Sequence, residues 1–279
     1  MNALATTPRG AARRTGAPDR PKAARALIAL ARGVAGAGLV TLAFEGFARL
    51  ELVDPKLFPP ASVILPKALT LLVDPAFLRE VAATLTALVS GVGVAAVIAV
   101  PLGVILGSYR LAATAFTPII DSLRSVPGIA IIPLLVLILG QGLEMKVTVV
   151  VFVTVWPLLF NTMYGVQAVD RVAIETAHSF RVPTLMRWRR VVLPSALPLM
   201  LTGLRLALST GLTVAIAAEI AVGSHEGVGY FILRASYAGF HADVVFAAVV
   251  LAGVLGYGLN MLVTAATERL VAWDTRGAS

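Results

Sequence analysis

The sequence predicts an all-α integral membrane protein with about six transmembrane helices, and three observations carry that reading. Hydrophobic residues make up 58% of the 279 and charged residues 14%, with a mean hydropathy of +0.89, well above the balance of a soluble globular domain. The apolar residues fall in continuous runs long enough to cross a bilayer as helix, which takes roughly 20 residues because each backbone amide must be satisfied internally. Those runs are rich in Ala, Val and Leu rather than alternating over about ten residues, which excludes a β-barrel.

The first 25 residues carry Arg9, Arg13, Arg14, Arg20, Lys22 and Arg25 against Asp19 and read as a basic tail. An apolar stretch at 26–49 follows. Arg32 and Glu45 interrupt it, but long side chains can snorkel to the interfaces, so it reads as a first span. A signal peptide competes for this region, yet the stretch is long and has no convincing small-residue cleavage site. Residues 50–80 set Lys56, Lys67 and Arg79 against Glu51, Asp54, Asp74 and Glu80 and read as a slightly acidic loop. Further spans are expected at 81–107, 125–140, 147–168, 195–222 and 244–266.

Basic flanks stay on the cytoplasmic side. Both termini, 108–114 and 169–193 are therefore expected inside, with 50–80 outside. The organisation is a cytoplasmic tail (1–25), a first helix and periplasmic loop (26–80), a transmembrane domain (81–268) with a cytoplasmic loop at 170–194, and a cytoplasmic tail (269–279). The net charge of +8 then belongs to topology and lipid contact. No basic-aromatic pattern points to nucleic acid.

The chain has no cysteine, which excludes disulfides, Cys-ligated zinc and a thiol nucleophile. His178, His225 and His241 are scattered without metal-ligand spacing and read as surface or interfacial residues. There is no G-x-x-x-x-G-K-[ST] phosphate loop and no nucleophile with a base and an orienting acid. The expectation is a chain that is not an enzyme, hydrolyses no ATP and holds no metal or cofactor.

The stretch "IETAHSFRVPTLMRWRRVVLP" at 174–194 is polar and basic between long apolar runs. Pro183 should interrupt it, with helix from Ile174 to His178 and again from Thr184 to Val192, ending at Pro194. Glu175 near the start of the first piece, and Arg187, Arg189 and Arg190 near the end of the second, would suit the two ends of a helix dipole. Without further information, a basic loop lying on anionic lipid accounts for it equally well.

The spacing of Glu175, Thr176, Ala177, Val191, Leu193 and Pro194 resembles the "EAA" loop of binding-protein-dependent ABC transporter permeases. That pattern is Glu-Ala-Ala, three residues, Gly, nine residues, Ile, one residue, Leu-Pro. Thr176 and Val191 are substitutions within it, and Arg181 stands where the glycine is expected, a departure that bears on the local backbone. "SGVGVAAVIAVPLGVILGSYR", "DSLRSVPGIAIIPLLVLILG", "YGVQAVD", "GLRLALSTGLTVAIAAEI" and "EGVGYFI" follow in order and look like signatures of the branch that includes nitrate, taurine and alkanesulfonate importers. The likeness runs from about residue 80 to the carboxyl end.

The resemblance implies a type I, methionine-permease-like bundle in the bacterial inner membrane. It implies a coupling helix at 170–194 seated on an ATPase subunit, two such subunits, a periplasmic or lipid-anchored substrate-binding protein and a second permease copy, usually identical. It also implies alternating access driven by the partner ATPases. The substrates of the branch are nitrate, sulfonates such as taurine and related small organic compounds, with pyrimidine precursors of cofactors also open.

Within the spans, Asp121 and Arg124 are three apart and suit an interfacial salt bridge. Thr202, Arg205, Ser209, Thr213, Ile216 and Ile220 follow three- or four-residue steps, so one stripe should face the bundle or a pathway. Arg205 is a candidate contact for an anion. Glu219, roughly 21 Å further along the helix at 1.5 Å per residue, reads as a structural or gating acid that cannot pair with Arg205. Asn161 and Thr154 share a face, with polar bonding between helices as the simpler role and the pathway as the other. Gly253, Gly256 and Gly258 read as packing residues. An ion-coupled secondary transporter using Asp121, Arg205 and Glu219 is the alternative, though it would normally show an internal repeat. A non-transporting scaffold would leave the polar stripe without a purpose.

Overall fold

The structure is a computed structural model that describes residues 22–50, 52–223, 225–239 and 241–271. It divides into two compact units, 1–52 and 53–279. In the first, α1 (Lys22–Arg49) is a 28-residue helix covering the stretch expected as the first span. Arg49 and Glu45 pair at 2.7 Å across one of its turns. Most of the basic tail lies outside the described residues.

The second unit holds the remaining helices. The segment expected as a loop contains α2 (Ala61–Leu71), which packs along α11 (Ala242–Leu270). Phe58 and Phe246 meet edge to face at 5.5 Å between ring centroids there. α3 (Pro75–Ser108) is launched by Asp74, whose carboxylate accepts the Ala76 N–H at 2.9 Å, with Pro75 in the first turn. α4 (Arg110–Arg124) follows after Tyr109, whose φ of −114° and ψ of 101° break the helix. A 3₁₀ turn at Gly128–Ile131 leads into α5 (Ile132–Leu139), and α6 (Leu143–Gln167) comes next.

Among the described residues, four helical stretches are long and apolar enough to cross a membrane: Pro75–Ser108, Leu143–Gln167, Thr184–Val222 and Ala242–Leu270. A fifth results if α4 and the 128–139 segment, bent by 72°, form one broken span. One continuous span is expected at 125–140 and a loop at 108–114. Instead, Pro127 removes a helical donor and sits in extended conformation (φ −62°, ψ 121°), so the run divides there. The helix before that break, α4, mixes polar with apolar residues and does not stand out as an apolar run.

Small residues fix how the long helices meet. On α3, Gly91, Ala95, Ala99 and Gly103 are buried at four-residue steps, and Gly91 lies so close to α6 that a Cβ would approach Val150 to 2.5 Å. α9 (Leu193–Val222) presents Gly203, Ala207, Gly211 and Ala215 at the same step, all buried. α3 and α9 therefore both pack along α6, with backbones close enough for dispersion to hold them without a hydrophobic driving force. Outside this core, large apolar side chains such as Val97, Leu137 and Leu262 are exposed, as a surface facing hydrocarbon requires.

Candidate functional site

Three places gather the polar side chains. The first is the loop singled out by its sequence. α7 (Arg171–Ser179) begins at Asp170, whose carboxylate accepts the Val172 N–H at 2.9 Å. It ends with the Arg181 N–H on the His178 carbonyl at 2.9 Å and the Val182 N–H on the Ala177 carbonyl at 3.0 Å. This is the double bond of a Schellman turn, and its left-handed residue is Arg181, with φ of 52°. The position where the pattern expects glycine thus keeps the glycine conformation with a side chain that does not favour it.

Beyond Pro183 the chain resumes as α8 (Thr184–Arg187), passes through a π-helical turn at Trp188–Val192 and continues as α9. The three form one helical stretch of 39 residues, Thr184–Val222. Helix was expected to end at Pro194. The wider π turn just before it shifts the hydrogen-bond register, and Pro194 falls in the first turn of α9 where no donor is needed. Nor do these charges fall at the favourable ends of a helix dipole, because Arg187, Arg189 and Arg190 lie at the start of this long helix and Glu175 in the middle of α7. Glu175, Thr176 and Arg181 are exposed, Ala177 is buried, and Val191, Leu193 and Pro194 are half-buried. Val172, Phe180 and Leu185 project with 65%, 79% and 72% exposure, an apolar knob on an otherwise charged loop.

The second place is a groove of about 730 Å³ between α9 and α11, lined by Arg205, Ser209, Thr213 and Ile216 from one and Gly253, Gly256, Tyr257 and Asn260 from the other. The expected stripe is brought together here, apart from Thr202 and Ile220, which do not line it. Ser209 and Thr213 donate to the Arg205 and Ser209 carbonyls of their own helix, so their remaining lone pairs face the groove. Of the three glycines read as packing residues, only Gly256 meets another helix, with a Cβ position 3.2 Å from Leu212; Gly253 and Gly258 face open space.

The third place was not foreseen in full. α10 (Val228–Tyr237) starts at a glycine-rich turn, and three successive N–H groups there meet side chains. Glu80 accepts Gly227 N–H at 2.7 Å, Thr84 Oγ1 accepts Val228 N–H at 2.9 Å, and Glu219 accepts Gly229 N–H at 2.9 Å. The Thr84 hydroxyl also lies 2.9 and 3.0 Å from the two Glu219 oxygens. Lys146 Nζ donates to the Glu226 carbonyl at 2.9 Å and stands 3.6 Å from Glu219. Thr84, Lys146 and Glu219 are all fully buried. Four helices are tied at one point, with each charge partnered, the condition under which buried charges are tolerated.

Residues 99–273 match the model of the family described as binding-protein-dependent transport system inner membrane component. The chain belongs to this family. It is similar to a probable ABC transporter permease of Brucella abortus (strain 2308), at 29% identity over 86% of this chain and 97% of that one. It is also similar to the taurine transport system permease of Escherichia coli (strain K12), at 29% identity over 81% and 83%. Among solved structures it resembles the inward-facing MetNI methionine ABC transporter, with a TM-score of 0.62 at 23% identity over 70% of this chain and 96% of that one, a likeness of fold. The protein is thus a multi-pass permease subunit of the bacterial inner membrane and not itself an enzyme.

Other expectations for the permease are met or revised by geometry. Arg124 and Asp121 pair at 2.8 Å, both about half exposed, and the guanidinium also lies 5.2 Å from the Phe160 ring centroid. Thr154 and Asn161 do not bond between helices. Their side chains donate to the Val150 and Pro157 carbonyls of α6 itself, and both serve the α6–α9 seam by packing. A Cβ on Gly203 would come to 2.7 Å from Asn161 and one on Gly211 to 2.8 Å from Thr154. Asn161 therefore stands apart from the α9–α11 groove. His178, His225 and His241 are exposed.

Proposed function

We propose that the permease works as the membrane half of an ATP-driven importer for a small anion, such as a sulfonate or nitrate, paired with a second copy and two ATPase subunits. A separate binding protein delivers the substrate. The loop at 170–194 is the docking element, on the cytoplasmic side together with both termini, as the arginine content of 169–193 favours. The chain divides functionally as read from sequence, with 81–268 as the transporting domain and 50–80 facing the periplasm.

The observation that carries this reading is the continuity of Thr184–Val222. The exposed knob of Phe180 and Leu185 joins, with no flexible linker after Pro183, a rod that carries Arg205, Ser209 and Thr213 in the membrane and Glu219 near its far end. Movement of the loop by a motor subunit reaches the groove because helix runs without a break from Thr184 to Val222. ATP binding then favours one arrangement of the bundle and hydrolysis the other, which requires that the ATPase bind the two with different affinity. The α9–α11 groove is the pathway wall, and Arg205 supplies charge for an anion. Glu219 keeps a structural part.

The test is affinity purification of the tagged permease from membranes in mild detergent, with and without Glu175→Lys. An ATPase that co-elutes with the wild type and is released by the charge reversal, while membrane insertion is unchanged, supports the reading. Normal solute uptake by the Glu175→Lys permease would overturn it.

A further inference from the structure

A fourth feature lies away from the groove and from the buried cluster. A cleft of about 800 Å³ opens between the α3–α4 elbow, the end of α6 and the base of the 170–194 loop. Arg110 from the elbow and Arg171 and Arg187 from the loop line it, together with hydroxyls of Ser108, Thr114, Thr117 and Thr184. Among the described residues none of these three guanidinium groups has a hydrogen-bond or ion-pair partner. Three arginines without partners around one concave space make it positively charged, which favours an anion there, and guanidinium geometry favours phosphate.

The position of the cleft selects which phosphate. Ser108 and Gln167, the last residues of the membrane-crossing α3 and α6, both belong to its wall, so it lies where hydrocarbon gives way to headgroups. Its wall is two-sided in chemistry: Met163, Val166 and Val192 are apolar, while the arginines and hydroxyls are polar. Half-buried Trp188 and exposed Tyr109 line the same cleft, as aromatics do at a membrane interface. We infer that this cleft binds the phosphate of an anionic phospholipid, with the adjoining acyl chain along the apolar wall. A lipid held there touches both the loop and the elbow, and so braces the docking element against the transmembrane helices. The inference does not depend on which face of the membrane the loop occupies.

The probe is native mass spectrometry and thermal unfolding of the purified permease in neutral detergent. Phosphatidylglycerol, phosphatidylcholine and inorganic phosphate are supplied separately. Phosphatidylglycerol is expected to be retained and to raise Tm where phosphatidylcholine is not. Replacing Arg110, Arg171 and Arg187 together by Gln should weaken that retention about 100-fold, or about fivefold for the exposed Arg110→Gln alone, at the usual contribution of one arginine near an anionic surface. Arg189→Gln with Arg190→Gln removes charge from the same loop outside the cleft and should leave retention unchanged. Equal retention of the two lipids, or equal loss in both sets of variants, would overturn the assignment. Stabilisation by inorganic phosphate with no preference for phosphatidylglycerol would overturn it in favour of a free-anion site.

Discussion

Glu219 of α9 and Thr84 of α3 are 135 positions apart in the chain and 2.9 Å apart in space, and the same hydroxyl accepts the Val228 N–H that opens α10. One threonine thus links a carboxylate to a helix start, and neither bond can be lost without leaving a buried group unpaired.

Glu219→Ala should therefore be severely destabilising. It strands the ammonium of Lys146 and the N–H of Gly229 in a dry site, for which a loss of about 3–5 kcal/mol is expected. Thr84→Val removes one hydroxyl and should cost less, about 1–3 kcal/mol. Thermal unfolding in detergent gives the order, and equal Tm values for wild type and Glu219→Ala would refute the account of the cluster.

Gly229→Ala should also lower stability, because its Cβ would fall onto the Ile216 carbonyl and the Glu219 side chain. Overpacking of this kind costs about 1–3 kcal/mol. Gly227 combines a φ of 122° with a Cβ position inside the Glu219 carboxylate, so Gly227→Ala should be the worse of the two in the same assay.

Arg181→Gly is expected to stabilise the loop. A residue with a side chain in the left-handed region costs about 1–2 kcal/mol, and the greater freedom of glycine in the unfolded chain offsets roughly 0.5–1 of that, leaving a gain of up to about 1.5 kcal/mol. Arg181→Val should go the other way, since a β-branched residue tolerates φ of 52° poorly. Proteolytic cleavage rates within 170–194, compared at one temperature, separate the three proteins.

Arg205→Gln and Thr154→Val should part company in transport assays. The first removes charge from the α9–α11 groove and should reduce uptake of an anion while the protein remains folded. The second replaces a hydroxyl that serves only its own helix, at a cost of about 1 kcal/mol or less, and should leave uptake near normal. A loss of uptake for Thr154→Val equal to that for Arg205→Gln would remove the reason for assigning the pathway to the groove.

Four of the expected spans, 81–107, 147–168, 195–222 and 244–266, and much of the groove were legible in the sequence alone, because these depend on local composition and helical periodicity. The positions of Arg205, Ser209 and Thr213 on one stripe needed only a 3.6-residue repeat. Arg181 marked itself by standing where a turn residue belongs, and the structure shows the left-handed backbone there. What escaped was decided by tertiary contact. Glu80 and Lys146 each sit one residue ahead of an apolar run, where a charge reads as an interfacial flank. The helices begin earlier, at Pro75 and Leu143, which carries both residues inward to meet the turn before α10. The break at Pro127, the passage of helix through Pro194 and the in-helix bonds of Thr154 and Asn161 were equally a matter of context. A proline or a polar side chain offers several ways to satisfy the backbone, and only the packing of neighbouring helices selects one.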